Sequence, residues 1–583
     1  MHRWSYFFIA FLLILVAPLA HASGAGKGDF DPALINWLRT NVSAKTGMPF
    51  SFAISGDKKD VYSRIGMPAS PTGIIERVIL EEGISIYDAA VWQIVMGATG
   101  DARDLQQAMK PVKYYWDGAM EGLFNIRTGS GGSVFVYDPV QPDAVTSQLS
   151  EQGRRGFIFR IIDANGAYQM SDPLDGSTVN EDFPNDPNIH WEDWKPIAGE
   201  NAWVVIAALH LLEHNADVQA GTVRMQDTPE FRLAVELARA AMFLQAENGG
   251  IRMAPLGTYN HLLNIKPGLS EAEITHELDQ RSLQFKSAHK VKAPLVRVGV
   301  QDYPDYHAWH YEEISTENNL SWYAAMRMLF KLTGNEEYRT VMQGIETYLR
   351  SAWNAQDNVF YQGAHYTQGR WMPNPEPFAE DVQSWAIMVL GPEVLDQWFG
   401  EGAAYHIWQK TRAYAGVFAS DGRLQGVGFT LENDRLSVEW TAGAIMAVRQ
   451  LEDYYASMHP QWVDGLKQDA RSMREGIDQF RFAASGDRAS YAYSSKRGWI
   501  PFGWFSQAPE VQSLVSTAWV ALVDAGINPF ILSSSASFAA KPVPVDMWLG
   551  SFRENFRHAI ATSYGIYSFG FFPPAYFLYN FLH

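Results

Sequence analysis

Six times along this chain a short polar start leads straight into a helix-length run that is apolar on nearly every face. The starts are Tyr87-Asp88-Ala89-Ala90-Val91-Trp92, Glu200-Asn201-Ala202-Trp203, Glu317-Asn318-Asn319-Leu320-Ser321-Trp322, Glu380-Asp381-Val382-Gln383-Ser384-Trp385, Glu439-Trp440-Thr441-Ala442-Gly443 and Gln512-Ser513-Leu514-Val515-Ser516-Thr517-Ala518-Trp519. A helix that is apolar all round must be surrounded by protein. The third is the clearest: between residues 320 and 332 only Ser321, Arg327 and Lys331 are plainly polar. Ser315 or Thr316 can cap its first amides, and Glu317 stands where the positive end of the helix dipole favours a carboxylate.

Helices of a second kind alternate with these. Residues 336–353 place Tyr338, Val341, Met342, Ile345, Tyr348 and Leu349 on one stripe, and residues 463–480 do the same with Val463, Leu466, Ala470, Met473, Ile477 and Phe480. That is the period of a half-exposed helix. Thr228-Pro229 opens another with a cap and a proline at the first helical position. Short extended pieces follow several of them, as at Val359-Phe360-Tyr361 and Ser490-Tyr491-Ala492-Tyr493. The repeating unit is therefore a buried helix, an exposed helix and a small strand or loop.

Six such units bury one continuous core if they close into a ring of six inner and six outer helices. The expected fold is mainly α, an (α/α)6 barrel with long loops and short β-hairpins around a cleft. Parallel inner helices bring all six N-termini to one end. Asp88, Glu200, Glu317, Asp381 and Glu439 then share that end with Trp203, Trp322, Trp385 and Trp440, a composition suited to a sugar cleft. The long connections at residues 125–198 and 255–314 wall it, because loops of this length are functional or disordered and their aromatic density argues against disorder. No Pro-, Gly- or Ser-rich linker divides the chain, so residues 23–583 read as a single catalytic domain.

Residues 1–22 read as a secretory signal, with His2 and Arg3 before an apolar run and Ala20-His21-Ala22 at the cleavage point. The run is short for a membrane span, so the expectation is a periplasmic or secreted chain without stable membrane insertion. The chain has no cysteine, which removes disulfides, thiolate-bound zinc and thiol nucleophiles. Its net charge of −18 becomes −19 without the signal, which holds one Arg and no acid. Such a surface repels nucleic acid and acidic polysaccharide, leaving neutral or cationic partners. No cofactor or metal is indicated: Gly129-Ser130-Gly131-Gly132-Ser133 lacks the lysine of a phosphate loop, and His307 and His310 lack a further spaced histidine.

The segments Tyr87-Asp88, Glu200-Asn201-Ala202-Trp203, Ser315-Thr316-Glu317-Asn318-Asn319, Val438-Glu439-Trp440-Thr441, Gly498-Trp499-Ile500-Pro501-Phe502-Gly503-Trp504, Ala518-Trp519 and Ile527-Asn528-Pro529-Phe530 together resemble bacterial six-hairpin glycosidase-like proteins. The resemblance covers roughly residues 70–530 and implies an exported enzyme acting on a polysaccharide or oligosaccharide, commonly an inverting glycoside hydrolase. Inversion needs a protonated carboxylic acid and an ionised carboxylate roughly 6.5–9.5 Å apart, a span available to acids on different inner helices. Glu317 is the first candidate for the acid, with Trp309 and Trp322 to desolvate it. Asp88 and Glu439 are candidates for the base. Glu200 and Asp381 are assigned to sugar hydroxyls, with Asn201, Asn318 and Gln383 as neutral donors and Trp203, Trp309, Trp440, Trp499 and Trp504 as platforms. Two other readings compete. A polysaccharide lyase would use Tyr259, Asn260, His261 and Asn318 beside a uronate, although a uronate calls for a basic cleft. A non-catalytic glycan-binding protein of an exopolysaccharide system would use the aromatics alone.

Overall fold

In a computed structural model the six inner helices run through Ile86–Ala98, Ala198–His214, Thr316–Thr333, Glu380–Leu390, Val438–Tyr455 and Leu514–Ala525. Each packs on the next, and the last returns to the first, so the ring is closed. The structure describes residues 29–67, 77 and 79–121, 157–158, 160–165, 170–171, 178–179, 197–254, 295–298, 301–304, 311–431, 434–483, 487–502 and 504–533. Residues 1–22, read above as a secretory signal, lie outside them. Among the described residues no helix is long and apolar enough to cross a membrane.

Outside the ring stand Pro32–Thr40, the pair Ala102–Ala108 and Lys110–Glu121, Pro229–Phe243, Glu336–Ser351, the pair Pro392–Phe399 and Ala403–Ala415, and Pro460–Asp478. This is the (α/α)6 barrel that the pattern of all-round and one-sided apolar helices predicts. The inner helices are buried on every side, while Glu336–Ser351 buries Tyr338, Val341, Ile345, Tyr348 and Leu349 and leaves its charged face to solvent. Pro32–Thr40 comes first in the chain yet packs on the last inner helix as well as the first, so the ring is stitched by its two ends. One apolar cluster runs from Leu34 to Leu532.

A second regularity lies at the fourth residue of the inner helices. Asn201 accepts from Ile158 N (2.8 Å) and donates to Ile158 O (2.9 Å). Asn319 brackets Ile251 in the same way, Gln383 brackets Phe360, and Thr441 brackets Val427. Thr517 accepts from Tyr491 N at 2.9 Å. Each bracketed residue belongs to the segment entering that helix's own repeat. The polar side chain satisfies backbone groups that burial would otherwise leave unpaired, at a cost of about 1–3 kcal/mol each.

Small antiparallel sheets line the N-terminal end. Phe52–Ile54, Val511–Ser513, Ala489–Ala492 and Arg481–Ala483 form the largest, and Arg370–Asn374, Gly363–Thr367 and Glu313–Ser315 another. Strands Glu313–Ser315 and Val511–Ser513 feed directly into inner helices, where Ser315 and Ser513 become N-caps at 3.3 and 3.2 Å. Thr316, the other capping candidate, instead donates to Tyr361 O (2.7 Å).

The opposite end is sealed by residues 527–533. Asn528 Nδ2 donates to Met388 O (3.0 Å), while Pro529 O and Phe530 O accept from His210 Nε2 (2.8 Å) and Arg327 (3.1 Å). Arg327 also donates to Val389 O (2.7 Å) and Arg449 to Val523 O (2.8 Å). Both arginines thus place positive charge at the negative ends of neighbouring inner helices.

Candidate active site

Register along the inner helices decides what faces the barrel axis. The sixth helical residues are Val91, Trp203, Ser321, Trp385, Gly443 and Trp519. The three tryptophans come from alternate helices and still meet, with ring centroids 5.2 Å (Trp203–Trp385), 5.8 Å (Trp203–Trp519) and 6.1 Å (Trp385–Trp519) apart. Side chains from non-adjacent helices touch only on the axis. Phe530 packs beneath them, 4.9 Å from Trp203, and the result is a floor of closely packed rings, mostly edge to face.

One turn nearer the N-terminus, on the same face, stand Tyr87, Gly199, Glu317, Asp381, Glu439 and Val515. Three consecutive inner helices therefore hold Glu317, Asp381 and Glu439 above the tryptophan floor. Ser321 donates to Glu317 Oε1 (3.1 Å), confirming the shared face of the two rows. Tyr87 lies edge-on to Trp203 at 5.1 Å, donates to Glu439 Oε1 at 2.5 Å and accepts from Trp519 Nε1 at 2.8 Å.

The third residues, turned by about 100°, flank this row. Among them Asp88 is held by Ser51 and lies beside Glu200, whose carboxylate is 3.9 Å from Arg160. Asn318 crosses over Gly199, where a Cβ would stand 2.1 Å from Asn318 Oδ1, so this close approach requires glycine. Asn318 Nδ2 is buried with no hydrogen-bond acceptor among the described residues. That leaves an unsatisfied donor in the wall beside the axial row.

Burial dominates the electrostatics. It drives the Glu317 carboxyl well above the usual range, with Asp381, Glu200 and Glu439 adding to it. Burial also lifts Glu439 to about 8, against the Tyr87 hydroxyl that favours its charge. Asp381 rises to about 7 for the same reason, opposed by the Val382 amide at 2.8 Å. Asp88 rises to about 7, opposed by Ser51. Glu380, absent from the sequence-based set, is fully buried at the first position of its helix. Among the described residues its oxygens have no well-formed hydrogen bond, and burial followed by Asp381 pushes its carboxyl well above the usual range.

Several sequence-based assignments change. Asn201 and Gln383 are spent on backbone groups and have no amide left for a sugar. Trp203 is 1% exposed and forms the floor, so it offers no open face. Trp440 is buried against Phe429 at 4.8 Å. Asp88 flanks the axial row, and Asp381 stands in it. Trp504 is half-buried in the hairpin of Gly498–Ile500 and Trp504–Ser506 and donates to Tyr493 OH at 2.9 Å. Trp309, the Trp499 side chain, His307, His310 and the lyase candidates Tyr259, Asn260 and His261 lie outside the described residues. Tyr87, which the sequence places in the repeat without a role, occupies the same helical position as Glu317. Among the described residues no cluster of three or more His, Asp or Glu side chains is placed to hold a metal ion.

No family model and no curated protein matches this chain. Solved structures to which it is similar include a sugar epimerase from a ruminal bacterium, at 10% identity over 84% of this chain and 95% of that one, TM-score 0.46. A cellobiose 2-epimerase from Bacillus thermoamylovorans is similar at 8% identity over 84% and 95%, TM-score 0.44. A GH76 α-mannanase from Bacteroides thetaiotaomicron is similar at 8% over 82% and 96%, TM-score 0.39. These are distant likenesses of fold. The barrel rests on its own closed ring of contacts, and the chemistry on the carboxyls inside it.

Proposed function

We propose that the chain is an exported glycoside hydrolase that cleaves a neutral or cationic polysaccharide or oligosaccharide by an inverting acid/base mechanism. The observation that carries this reading is the axial row of Glu317, Asp381 and Glu439 on consecutive inner helices above a water-poor aromatic floor. Neighbouring helices pack about 9 Å apart, which puts alternate members of a six-membered ring roughly 16 Å apart. Inward-reaching carboxyls shorten that toward the roughly 6.5–9.5 Å that inversion uses.

Glu317 is the general acid, because three neighbouring carboxyls and burial hold its proton. Asp381 on the neighbouring inner helix or Glu439 on the next, ionised once the pH passes about 7 or about 8 respectively, activates water on the opposite face of the sugar. Asn318 and Glu200 meet sugar hydroxyls. The acidic cleft suits an uncharged or aminated sugar and repels a uronate.

The test is to incubate the exported chain with neutral, aminated and uronate glycans, recording new reducing ends, absorbance of unsaturated product and the anomer first formed. New reducing ends of inverted anomeric configuration support the proposal. Unsaturated product overturns it in favour of elimination, and binding without turnover across the panel favours a glycan-binding role.

A further inference from the structure

Resting on the hydrolytic reading above, we propose that Tyr87, fixed by Trp519, is the positioning residue that equips Glu439 for the base role. An indole N–H can only donate, so the 2.8 Å contact from Trp519 Nε1 makes the Tyr87 oxygen an acceptor there. The phenol has a single proton, and its other close partner is Glu439 Oε1 at 2.5 Å. That length lies at the short end of hydroxyl-to-carboxylate bonds, roughly 2.5–2.7 Å.

Glu439 Oε1 is therefore an obligate acceptor, and a proton on this carboxyl can reside only on Oε2. In the reaction a water O–H bond breaks, its proton passes to Glu439 Oε2, and the freed electron pair forms the bond to the anomeric carbon. The glycosidic C–O bond breaks toward the leaving oxygen, which takes the proton of Glu317. Asp381 Oδ1 accepts instead from the Val382 backbone amide of its own helix, a donor that no side-chain substitution removes, whereas the donor to Glu439 is a side chain brought in from another inner helix.

The other ionisable groups facing Glu439 all oppose its charge. They are Asp88 from the first inner helix, Glu317 from the third, Glu380 and Asp381 from the fourth, and Tyr493 from the segment before the sixth. Among the described residues Tyr87 is the side chain that donates to Glu439. Residues 352 and 432 positions apart in sequence make the arrangement, so it depends on three inner helices holding their register.

The experiment measures kcat and KM against pH for the wild type, Tyr87→Phe and Trp519→Phe on the glycan the panel identifies, with Glu439→Gln as reference. Tyr87→Phe is expected to move the acidic limb of kcat upward by about one to two pH units, the worth of a hydrogen bond to a charged group. Its kcat then recovers at high pH while KM stays within about threefold. Trp519→Phe moves the limb the same way by less, and takes over the test where Tyr87→Phe does not fold. An equal fall in kcat at every pH overturns the proposal. In parallel, infrared difference titration follows the carboxyl band that Glu439→Gln removes, and this needs no substrate. A band that titrates unchanged in Tyr87→Phe overturns the link between Tyr87 and Glu439. A band that moves, in an enzyme with no hydrolytic turnover, upholds the link and overturns the hydrolytic reading alone.

Discussion

Glu317 differs from the other axial acids in how little favours its charge: a hydroxyl from Ser321 on one side, and Asp381, Glu200 and Glu439 pressing from the others. Replacing it with glutamine removes the transferable proton and keeps the shape. We expect Glu317→Gln to lower kcat by about 10²–10⁴-fold with an unchanged circular dichroism spectrum; an unfolded variant would instead mark Glu317 as structural. Asn201→Ala should do the reverse. It strands the Ile158 N–H and C=O, so urea unfolding should show a loss of about 1–3 kcal/mol per stranded group while kcat per folded molecule holds. The acids were legible because a carboxylate in the first turn of an otherwise apolar helix recurs. Asn201 was misread because sequence does not show rotation: one residue further along, about 100°, turns a side chain from the cleft to its own hairpin. Tyr87 went unassigned because a tyrosine inside an apolar run looks like core, and only the register shared with Glu317 shows otherwise.

At the scale of the helix, two effects compete over every acid in the first turn. The dipole favours the ionised form and burial opposes it. At Asp88, Asp381 and Glu439 burial prevails, since all three lie at about 7 to 8. Groups whose affinity for a proton is higher folded than unfolded add most stability below their unfolded value near 4, and that stability is lost as pH rises through 7 to 8. The thermal midpoint should therefore fall between pH 5 and pH 8, and Glu439→Gln should flatten the slope. A profile of the wild type that climbs over this range would contradict the assignment. Gly199 tests the crossing of two helices. Gly199→Ala drives a methyl into Asn318 and should raise KM well before it abolishes kcat, as steady-state kinetics will show. The helices themselves were legible from all-round or one-sided apolarity. Most small sheets were not, because strands such as Phe52–Ile54 and Val511–Ser513 pair across hundreds of residues and carry too few residues for a pattern.

For the molecule as a whole, closure of the ring followed from counting six units, but the sealed end did not. Residues 527–533 act chiefly through backbone carbonyls, which leave no mark on side-chain periodicity. Phe530→Ala should cost about 3–5 kcal/mol in urea unfolding, since the ring is fully buried beneath Trp203 and Trp385. Because the first outer helix packs on the last inner one, synthesis imposes an order. Chains emerge at about 5–20 residues per second, so the first helix waits on the order of half a minute or longer for its partner. Until Leu514–Ala525 arrives, Tyr87 lacks Trp519 and the aromatic floor lacks one of its three rings. The axial row and its floor are therefore complete only once Leu514–Ala525 has been made, and a nascent chain that stops short of that helix lacks the finished site.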